Sequence, residues 1–224
     1  MRNIKILIPV TIRYIFSVIF VALLLFVPAG TLSYWNAWLF LAALFAPMLF
    51  ALVYLYLKDP ELLQKRIKTK EKEKTQKVYL VLSVFTILIA FIIPGLDYKY
   101  HWSAIPTWTV IPATAIMIFG YYLFFMVMRQ NSYASRVIEI QQGQKVIDSG
   151  LYSIVRHPMY LAATILFCAT PMVLGSLYAF IPVVFIPLLF VIRILNEEKV
   201  LKQNLTGYSD YTKKVKYRLI PFIW

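Results

Sequence analysis

Long runs of apolar residues, separated by short polar segments, constrain this chain more than any other feature. The first two runs cover about Ile6–Val27 and Trp35–Leu57, and each is long enough for the roughly 20 residues that a helix needs to cross a bilayer. Two further runs cover about Val78–Ile93, which Pro94-Gly95 is predicted to end, and Trp108–Met128. Hydrophobic residues make up 61% of the sequence, against about 45–50% in soluble domains. The chain is therefore predicted to be a multi-pass membrane protein.

Two shorter apolar runs follow, about Met159–Leu174 and Leu177–Leu195, with Gly175-Ser176 between them. The first of these has about 16 residues, which is roughly 24 Å as a helix and short for a full crossing. Such a pair predicts a short helical hairpin. The fold class that follows is all-α integral membrane, with about six transmembrane helices, the last two forming this hairpin. Four N-terminal helices would occupy residues 1–128.

The positive charges are distributed unevenly along the chain. Every Lys and Arg except Lys99 lies in the N-terminal end, in the loop 58–77, in the segment 129–157 or in the tail from Arg193. By the positive-inside rule, these segments and both termini are predicted to be cytoplasmic. This placement in the loops accounts for the net charge of +13, and a nucleic-acid partner is not expected.

The basic loop 58–77 carries a weakly amphipathic stretch, Glu61–Ile67, which is predicted to lie on the membrane surface. We interpret the rest of the loop as a solvated run of charges. His101 lies in the loop after the third run, on the opposite side of the membrane from the basic segments. It has no second His, Cys or carboxylate at metal-ligand spacing, and no metal site is predicted.

A polar break, Gly150–Tyr160, separates the fourth run from the hairpin. A residue before proline is pushed away from the α region, so His157 is expected to be extended, and Pro158 suits the first position of a new helix. The free N–H groups of such a helix start favour an anion. The alternative is a linker at the membrane interface, with Arg156 near lipid headgroups and Tyr152 and Tyr160 in the aromatic belt.

Charged residues also stand at the end of the last run. Arg193 and Glu197 are four residues apart, so they share one face of a helix. Two acidic residues near the C-terminal end of a helix, Glu197 and Glu198, oppose the helix dipole. They are either functional or solvated beyond the membrane. Arg193 either faces a cavity or partner or extends its charge to the interface.

These features together resemble a known family. The pattern Gly150-x-Tyr152-x-x-x-Arg156-His157-Pro158-x-Tyr160, a short hairpin, Arg193-x-x-x-Glu197-Glu198, Gly207-Tyr208-x-x-Tyr211 and a terminal Arg218-Leu219-Ile220-Pro221 is similar to the isoprenylcysteine carboxyl methyltransferases. Phospholipid N-methyltransferases belong to the wider group. The resemblance covers about Asn131 to the end of the chain, and it implies a catalytic region at 129–224.

The resemblance implies an integral membrane methyltransferase that binds S-adenosyl-L-methionine in a cytoplasmic pocket and acts on a lipophilic small-molecule or lipidated substrate. Arg193 would be a catalytic residue that faces the substrate, and Glu197 a catalytic residue that contacts the cofactor. The other implied cofactor-binding residues are Gln141, Gln144, Lys145, Val146, Ile147, Tyr152, His157, Pro158, Met159 and Tyr160.

The acceptor expected from this resemblance is a carboxylate of the isoprenylcysteine type, which Arg193 can hold bidentately and which needs no general base. Three alternatives stay open at the level of the sequence. They are a phospholipid N-methyltransferase, a sterol-reductase-like enzyme that uses NADPH, and a non-catalytic membrane scaffold or carrier.

Overall fold

The computed structural model describes residues 4–67, 74–135, 137 and 140–224, and over these residues the regular structure is helical. Two short 3-10 turns, at Thr107–Thr109 and Gly150–Ser153, accompany eight α-helices. The helices are α1 (Ile4–Ala29), α2 (Trp35–Lys58), α3 (Pro60–Ile67), α4 (Lys74–Tyr100), α5 (Val110–Gln130), α6 (Pro158–Leu174), α7 (Phe180–Asn204) and α8 (Tyr208–Lys214).

Five of the helices, α1, α2, α4, α5 and α7, are long and apolar enough to cross a membrane. This confirms the prediction of a multi-pass, all-helical membrane protein. Large apolar side chains point outward from these helices; Phe16 is 66% exposed and Ile111 is 76% exposed. Helix α6 is apolar but has only 17 residues, or about 26 Å, so a sixth crossing and the cytoplasmic position of the termini stay predictions.

Helix α4 runs through Pro94-Gly95, where the sequence predicted that the span would stop. Gly95 explains the continuation, because α1 packs directly against it. A Cβ at Gly95 would lie 2.5 Å from the backbone oxygen of Leu25 and 3.1 Å from the backbone nitrogen of Ala29. The glycine therefore allows α1 and α4 to approach closely. The break that the sequence predicted at this position does not occur.

Helix α3 confirms that part of the 58–77 loop is helical, but its apolar side contacts protein. Leu62 and Leu63 are buried and pack with Leu55 and Met128. Helices α2 and α5 cover these two side chains, and the position of the stretch at the membrane surface stays a prediction. Residues 68–73 of the predicted charge run lie outside the described residues.

The start and end of α6 follow the sequence prediction. His157 is non-helical, with φ −125° and ψ 62°, and Pro158 is the first residue of the helix. Gly175 ends α6 in the left-handed region with φ +73°, as a helix-terminating glycine commonly does. Helices α6 and α7 pack against each other, and α6 also packs along α5. The hairpin is therefore fixed by the helix that precedes it in the sequence.

A buried carboxylate joins three segments at the end of the bundle where α4 ends and α7 begins. Asp97 is 2% exposed. Its carboxylate accepts hydrogen bonds from the hydroxyl of Ser176 and from both the backbone N–H and the hydroxyl of Ser103. The sequence alone assigned no role to Asp97, and the structure shows that it ties α4 to the α6–α7 turn.

Candidate functional site

The site lies at the opposite end of the bundle, where α6 begins and α7 ends, which we call the site end. The break before α6 is held there by the C-terminal tail. The backbone N–H groups of Arg156 and His157 donate to the carbonyl oxygens of Tyr217 and Arg218, both at 2.9 Å. This pairing holds His157 in the non-helical conformation that a residue before proline favours.

Glu198 is the charged centre behind the break. It is 3% exposed, and its carboxylate contacts the Nε atom of Arg156 at 3.0 Å, the Nε2 atom of His157 at 3.3 Å and the Nε atom of Arg218 at 3.1 Å. A buried carboxylate needs such partners to offset its desolvation. These contacts exclude two alternatives: Glu198 is not solvated, and Arg156, which is 7% exposed, does not lie among lipid headgroups.

Glu198 also orients the imidazole of His157. In the neutral ring, donation from Nε2–H to Glu198 leaves the lone pair on Nδ1. The Nδ1 atom lies 4.0 Å from Oε1 of Glu197. The two adjacent glutamates therefore stand on either side of one imidazole ring. Glu198 lies behind it, and Glu197 lies beside the cavity.

Tyr160 connects the residues that the sequence singled out on α7. Its hydroxyl donates to Oε2 of Glu197 at 2.6 Å and accepts from Nε of Arg193 at 2.8 Å. Arg193 is buried, and its guanidinium lies 5.0 Å from the ring centroid of Tyr79. Arg193 is thus hydrogen-bonded inside the protein and does not simply extend its charge to the membrane interface. Tyr160 is likewise more than a residue of the aromatic belt.

These side chains line one cavity at the site end. All but one of the predicted cofactor-binding residues line it, as does Arg193. The lining residues among the predicted set are Gln144, Lys145, Val146, Ile147, Tyr152, His157, Pro158, Met159, Tyr160, Arg193 and Glu197. Their roles in binding stay predictions.

Gln141 is the exception, because it is turned into the loop. Its side-chain amide donates to the carbonyl oxygen of Tyr133 at 2.8 Å, and its backbone N–H donates to Oε1 of Gln144 at 3.0 Å. Gln141 therefore supports the loop that carries Gln144, and does not itself line the cavity.

The helix start at Pro158 offers fewer donors than the sequence suggested. Pro158 has no N–H, and the N–H of Tyr160 donates to the carbonyl oxygen of His157 at 3.1 Å. Of the first three residues of α6, only Met159 is left to donate its backbone N–H to an anion.

Several lining residues were not predicted. They come from the segment after α5, from the end of α7 and from α8: Asn131, Tyr133, Ala134, Ser135, Val137, Ile140, Arg156, Leu201, Leu205, Tyr208 and Tyr211. The sequence signal for two of them was the Gly207-Tyr208-x-x-Tyr211 motif, which carried no assigned role. The apolar residues carried no signal, because Leu201 in α7 and Leu205 just after it look like ordinary apolar residues until the fold brings them to the cavity.

Tyrosine hydroxyls give the cavity neutral polar groups. Burial raises the pKa of Tyr152 to about 12, although the hydrogen bond from Asn131 opposes this. Burial also raises the pKa values of Tyr208 and Tyr211. The Tyr211 hydroxyl donates to the carbonyl oxygen of Tyr152 at 2.7 Å. The Tyr208 hydroxyl is buried and has no hydrogen-bond partner within the described part of the chain.

A second hollow, the groove, adjoins the cavity. Five of its lining residues come from α4, and the others on helices come from α3, α5, α6 and α7. It is lined by Arg66, Tyr79, Leu80, Ser83, Val84, Ile87, Phe124, Ser135, Val137, Met159, Tyr160, Ala163, Phe190 and Arg193. Because Met159, Tyr160 and Arg193 line both hollows, the groove and the cavity meet there.

No group of three or more His, Cys, Asp or Glu side chains within the described residues could hold a metal ion. The polar groups of the cavity include the Glu197 carboxylate, the guanidinium groups of Arg156 and Arg193, the imidazole of His157 and several tyrosine hydroxyls, with the amide of Gln144 and the ammonium of Lys145.

Comparison with known proteins supports the resemblance read from the sequence. Residues 113–203 match the isoprenylcysteine carboxyl methyltransferase family, which confirms that resemblance over α5, the break, the hairpin and both glutamates. The match supports a membrane methyltransferase. The chain is also 28% identical over 123 residues to the Delta(14)-sterol reductase of Mus musculus. That alignment covers 49% of this chain and 29% of the reductase, so the chain spans less than a third of this relative's length.

Proposed function

We propose that the chain is an integral membrane methyltransferase that uses S-adenosyl-L-methionine and transfers a methyl group to a lipophilic carboxylate of the isoprenylcysteine type. One observation carries the proposal: His157, Tyr160, Arg193 and Glu197 line one cavity inside the segment that matches the family.

The residues of the cavity fit the proposed cofactor chemically. S-adenosyl-L-methionine, when bound, supplies a methyl group on a cationic sulfonium. The carboxylate of Glu197 and the ring faces of His157 and Tyr160 suit a cation. The buried hydroxyl of Tyr208 can pair with a polar group of the ligand, and leaving it unpaired is costly. Apolar side chains such as Leu201 suit an aromatic base.

Arg193 is the proposed contact for the acceptor. Its guanidinium lies where the groove meets the cavity, so a carboxylate at the end of an apolar chain in the groove would reach it. The hydrogen bond to Tyr160 and the ring of Tyr79 restrain the side chain. A restrained guanidinium aligns the acceptor oxygen with the methyl donor, and such positioning contributes several kcal/mol to a displacement reaction.

Tyr160 would link the residue that contacts the cofactor to the residue that contacts the acceptor. Its hydroxyl bonds both Glu197, on the proposed cofactor side, and Arg193, on the proposed acceptor side. A carboxylate acceptor is ionised at neutral pH, so no proton has to be removed from it. The residues therefore need only to hold the acceptor in place and to exclude water. An amine acceptor would need a base from His157 or the glutamates.

A transfer assay tests the proposal. Purified chain is incubated with S-adenosyl-L-methionine labelled in the methyl group and with an S-alkylated N-acetylcysteine. We expect a product whose label is released by mild base, as for a methyl ester. In a membrane extract, separation of lipid and protein fractions identifies the class of acceptor. Label that stays bound after base treatment and extracts with phospholipid would contradict the carboxylate acceptor.

The match to a sterol reductase favours a second candidate, a membrane reductase that uses a reduced nicotinamide cofactor. The same purified protein is mixed with NADPH and a steroid with a conjugated double bond. Oxidation of the cofactor, seen as loss of its absorbance only when the steroid is present, would favour this candidate over methyl transfer.

A further inference from the structure

Two adjacent residues, Gln130 at the end of α5 and Asn131 just after it, reach the 3-10 turn Gly150–Ser153. The side-chain oxygen of Gln130 accepts from the backbone N–H of Leu151 at 3.1 Å. The side-chain amide of Asn131 donates to the hydroxyl of Tyr152 at 2.8 Å. Asn131 and Tyr152 both line the cavity. One residue therefore holds the backbone of the turn, and the other contacts a polar group that faces the ligand.

The side-chain amide of Asn131 is fixed in one orientation. Its oxygen accepts from the backbone N–H of Tyr133 at 2.9 Å, in a turn that asparagine commonly forms with its own backbone two residues on. Because the oxygen faces an N–H, the NH₂ group points the other way, toward Tyr152. The backbone N–H of Asn131 donates to the carbonyl oxygen of Val127 at 3.0 Å. Asn131 is therefore the donor in its contact with Tyr152, and the hydroxyl oxygen is the acceptor.

The hydroxyl of Tyr152 keeps its own proton for another partner. A tyrosine hydroxyl can donate one hydrogen bond in addition to those it accepts, and the contact with Asn131 uses only the oxygen. Within the part of the chain that the structure describes, this hydroxyl has no further hydrogen-bond partner. Burial raises the pKa of Tyr152 to about 12, so the proton is present at neutral pH.

The turn that carries Tyr152 is held from two sides. The hydroxyl of Tyr211 on α8 donates to the carbonyl oxygen of Tyr152 at 2.7 Å, while Gln130 holds the turn from α5. Gly150 makes room for Gln130, since its φ is +59° and a Cβ there would lie 2.6 Å from Nε2 of Gln130. With the backbone held, the direction of the hydroxyl proton depends on Asn131.

We propose that Asn131 is a positioning residue that turns the proton of Tyr152 toward the cavity, where Tyr152 donates it to a hydrogen-bond acceptor of the bound cofactor. A chain of two hydrogen bonds in one direction strengthens both. The proposal rests on the proposed function, since it takes the cavity as the site of S-adenosyl-L-methionine. The acceptor is either the carboxylate of the amino-acid part or an oxygen or nitrogen of the nucleoside part, and two probes distinguish these sources.

Calorimetric titration of S-adenosylhomocysteine into the purified chain, Tyr152→Phe, Asn131→Asp and the double variant tests the proposal. Asn131→Asp keeps an oxygen for the N–H of Tyr133 and replaces the NH₂ donor by a carboxylate oxygen, which takes the proton of Tyr152 away from the ligand. We expect each single variant to bind about tenfold more weakly, the scale of one hydrogen bond. The double variant should bind within about twofold of Tyr152→Phe, because the direction of the proton matters only while the hydroxyl is present.

Gln130→Leu is the matched control, because it removes a hydrogen bond to the same turn and none to the hydroxyl. Its effect on affinity should add to that of Tyr152→Phe. If Asn131→Asp does not fold, Asn131→Leu serves in its place and should weaken binding a few-fold, again only while Tyr152 is present. Additive losses for the Asn131 variants, or a coupling of equal size for Gln130→Leu, would show a merely structural role and overturn the proposal.

A second probe, 5′-methylthioadenosine, lacks the amino-acid part. If the acceptor is the carboxylate, Tyr152→Phe should bind this probe like the unmodified chain. If the acceptor belongs to the nucleoside, the loss of about tenfold should persist. Absence of S-adenosylhomocysteine binding by the unmodified chain would overturn the proposed function and this inference together. Normal binding with additive losses would overturn the role of Asn131 alone.

Discussion

The molecule buries a carboxylate at each end of its helical bundle, and the two are held by different kinds of partner. Asp97 accepts hydrogen bonds from two serine hydroxyls and one backbone N–H. Glu198, at the site end, contacts two guanidinium groups and one imidazole. The same chemical group is therefore stabilised by neutral donors at one end and by charged or titratable groups at the other.

The difference separates a structural tie from support for a site. The partners of Asp97 connect helix ends and line neither hollow at the site end. Two partners of Glu198, Arg156 and His157, line the cavity. A change at Asp97 should thus affect the stability of the fold alone, whereas a change at Glu198 should affect both stability and ligand binding.

The largest effect is expected for Glu198→Ala. It leaves Arg156 and Arg218 without their carboxylate, and breaking a buried ion pair costs about 3–5 kcal/mol. Thermal unfolding in detergent should show this loss, and binding of S-adenosylhomocysteine should be lost as the His157 ring is released. A folded variant that binds the ligand normally would mean that Glu198 does not position the cavity wall.

Asp97→Asn should have a smaller effect, of about 1–3 kcal/mol, because one acceptor oxygen becomes a donor that faces two hydroxyl groups. Affinity for S-adenosylhomocysteine, measured below the unfolding temperature, should not change. A matching loss of affinity would show that the two ends of the bundle are coupled and would remove the contrast between them.

Tyr208→Phe is expected to change stability least. The hydroxyl it removes is buried without a hydrogen-bond partner among the described residues, so its loss should cost no more than about 0.5 kcal/mol and can stabilise the free protein. Ligand affinity should fall several-fold if the hydroxyl pairs with the ligand. Unfolding curves and calorimetry separate the two effects. A large loss of stability would show that the hydroxyl is already paired in the free protein.

Local sequence rules predicted the features that depend on one or two neighbouring residues. His157 is non-helical, and the helix start at Pro158 and the helix end at Gly175 occur as expected. Each follows from the conformational restriction of proline or the freedom of glycine. The spacing of Arg193 and Glu197 likewise placed both on one helix face, where Tyr160 joins them.

Features that depend on distant segments could not be predicted in this way. Arg218 pairs with Glu198 from the C-terminal tail, and Asp97 pairs with Ser176 across 79 positions. Gly95 was interpreted as a break because its local freedom is visible, while the backbone of α1 that packs on it is not. Arg66 belongs to the stretch Glu61–Ile67 that was predicted to lie on the membrane surface, because only the fold brings α3 against Met159 and Phe124.

Calorimetric titration of S-adenosylhomocysteine into the purified chain and into Glu197→Gln tests the central claim most directly. Glu197 lines the cavity with its side chain 25% exposed, so the substitution removes a charge that faces the ligand and leaves the buried Glu198 cluster in place. The account predicts saturable binding to the unmodified chain and at least about tenfold weaker binding to the variant, with similar unfolding temperatures. Absence of any binding heat with the unmodified chain, or equal affinities for the two proteins, would contradict it.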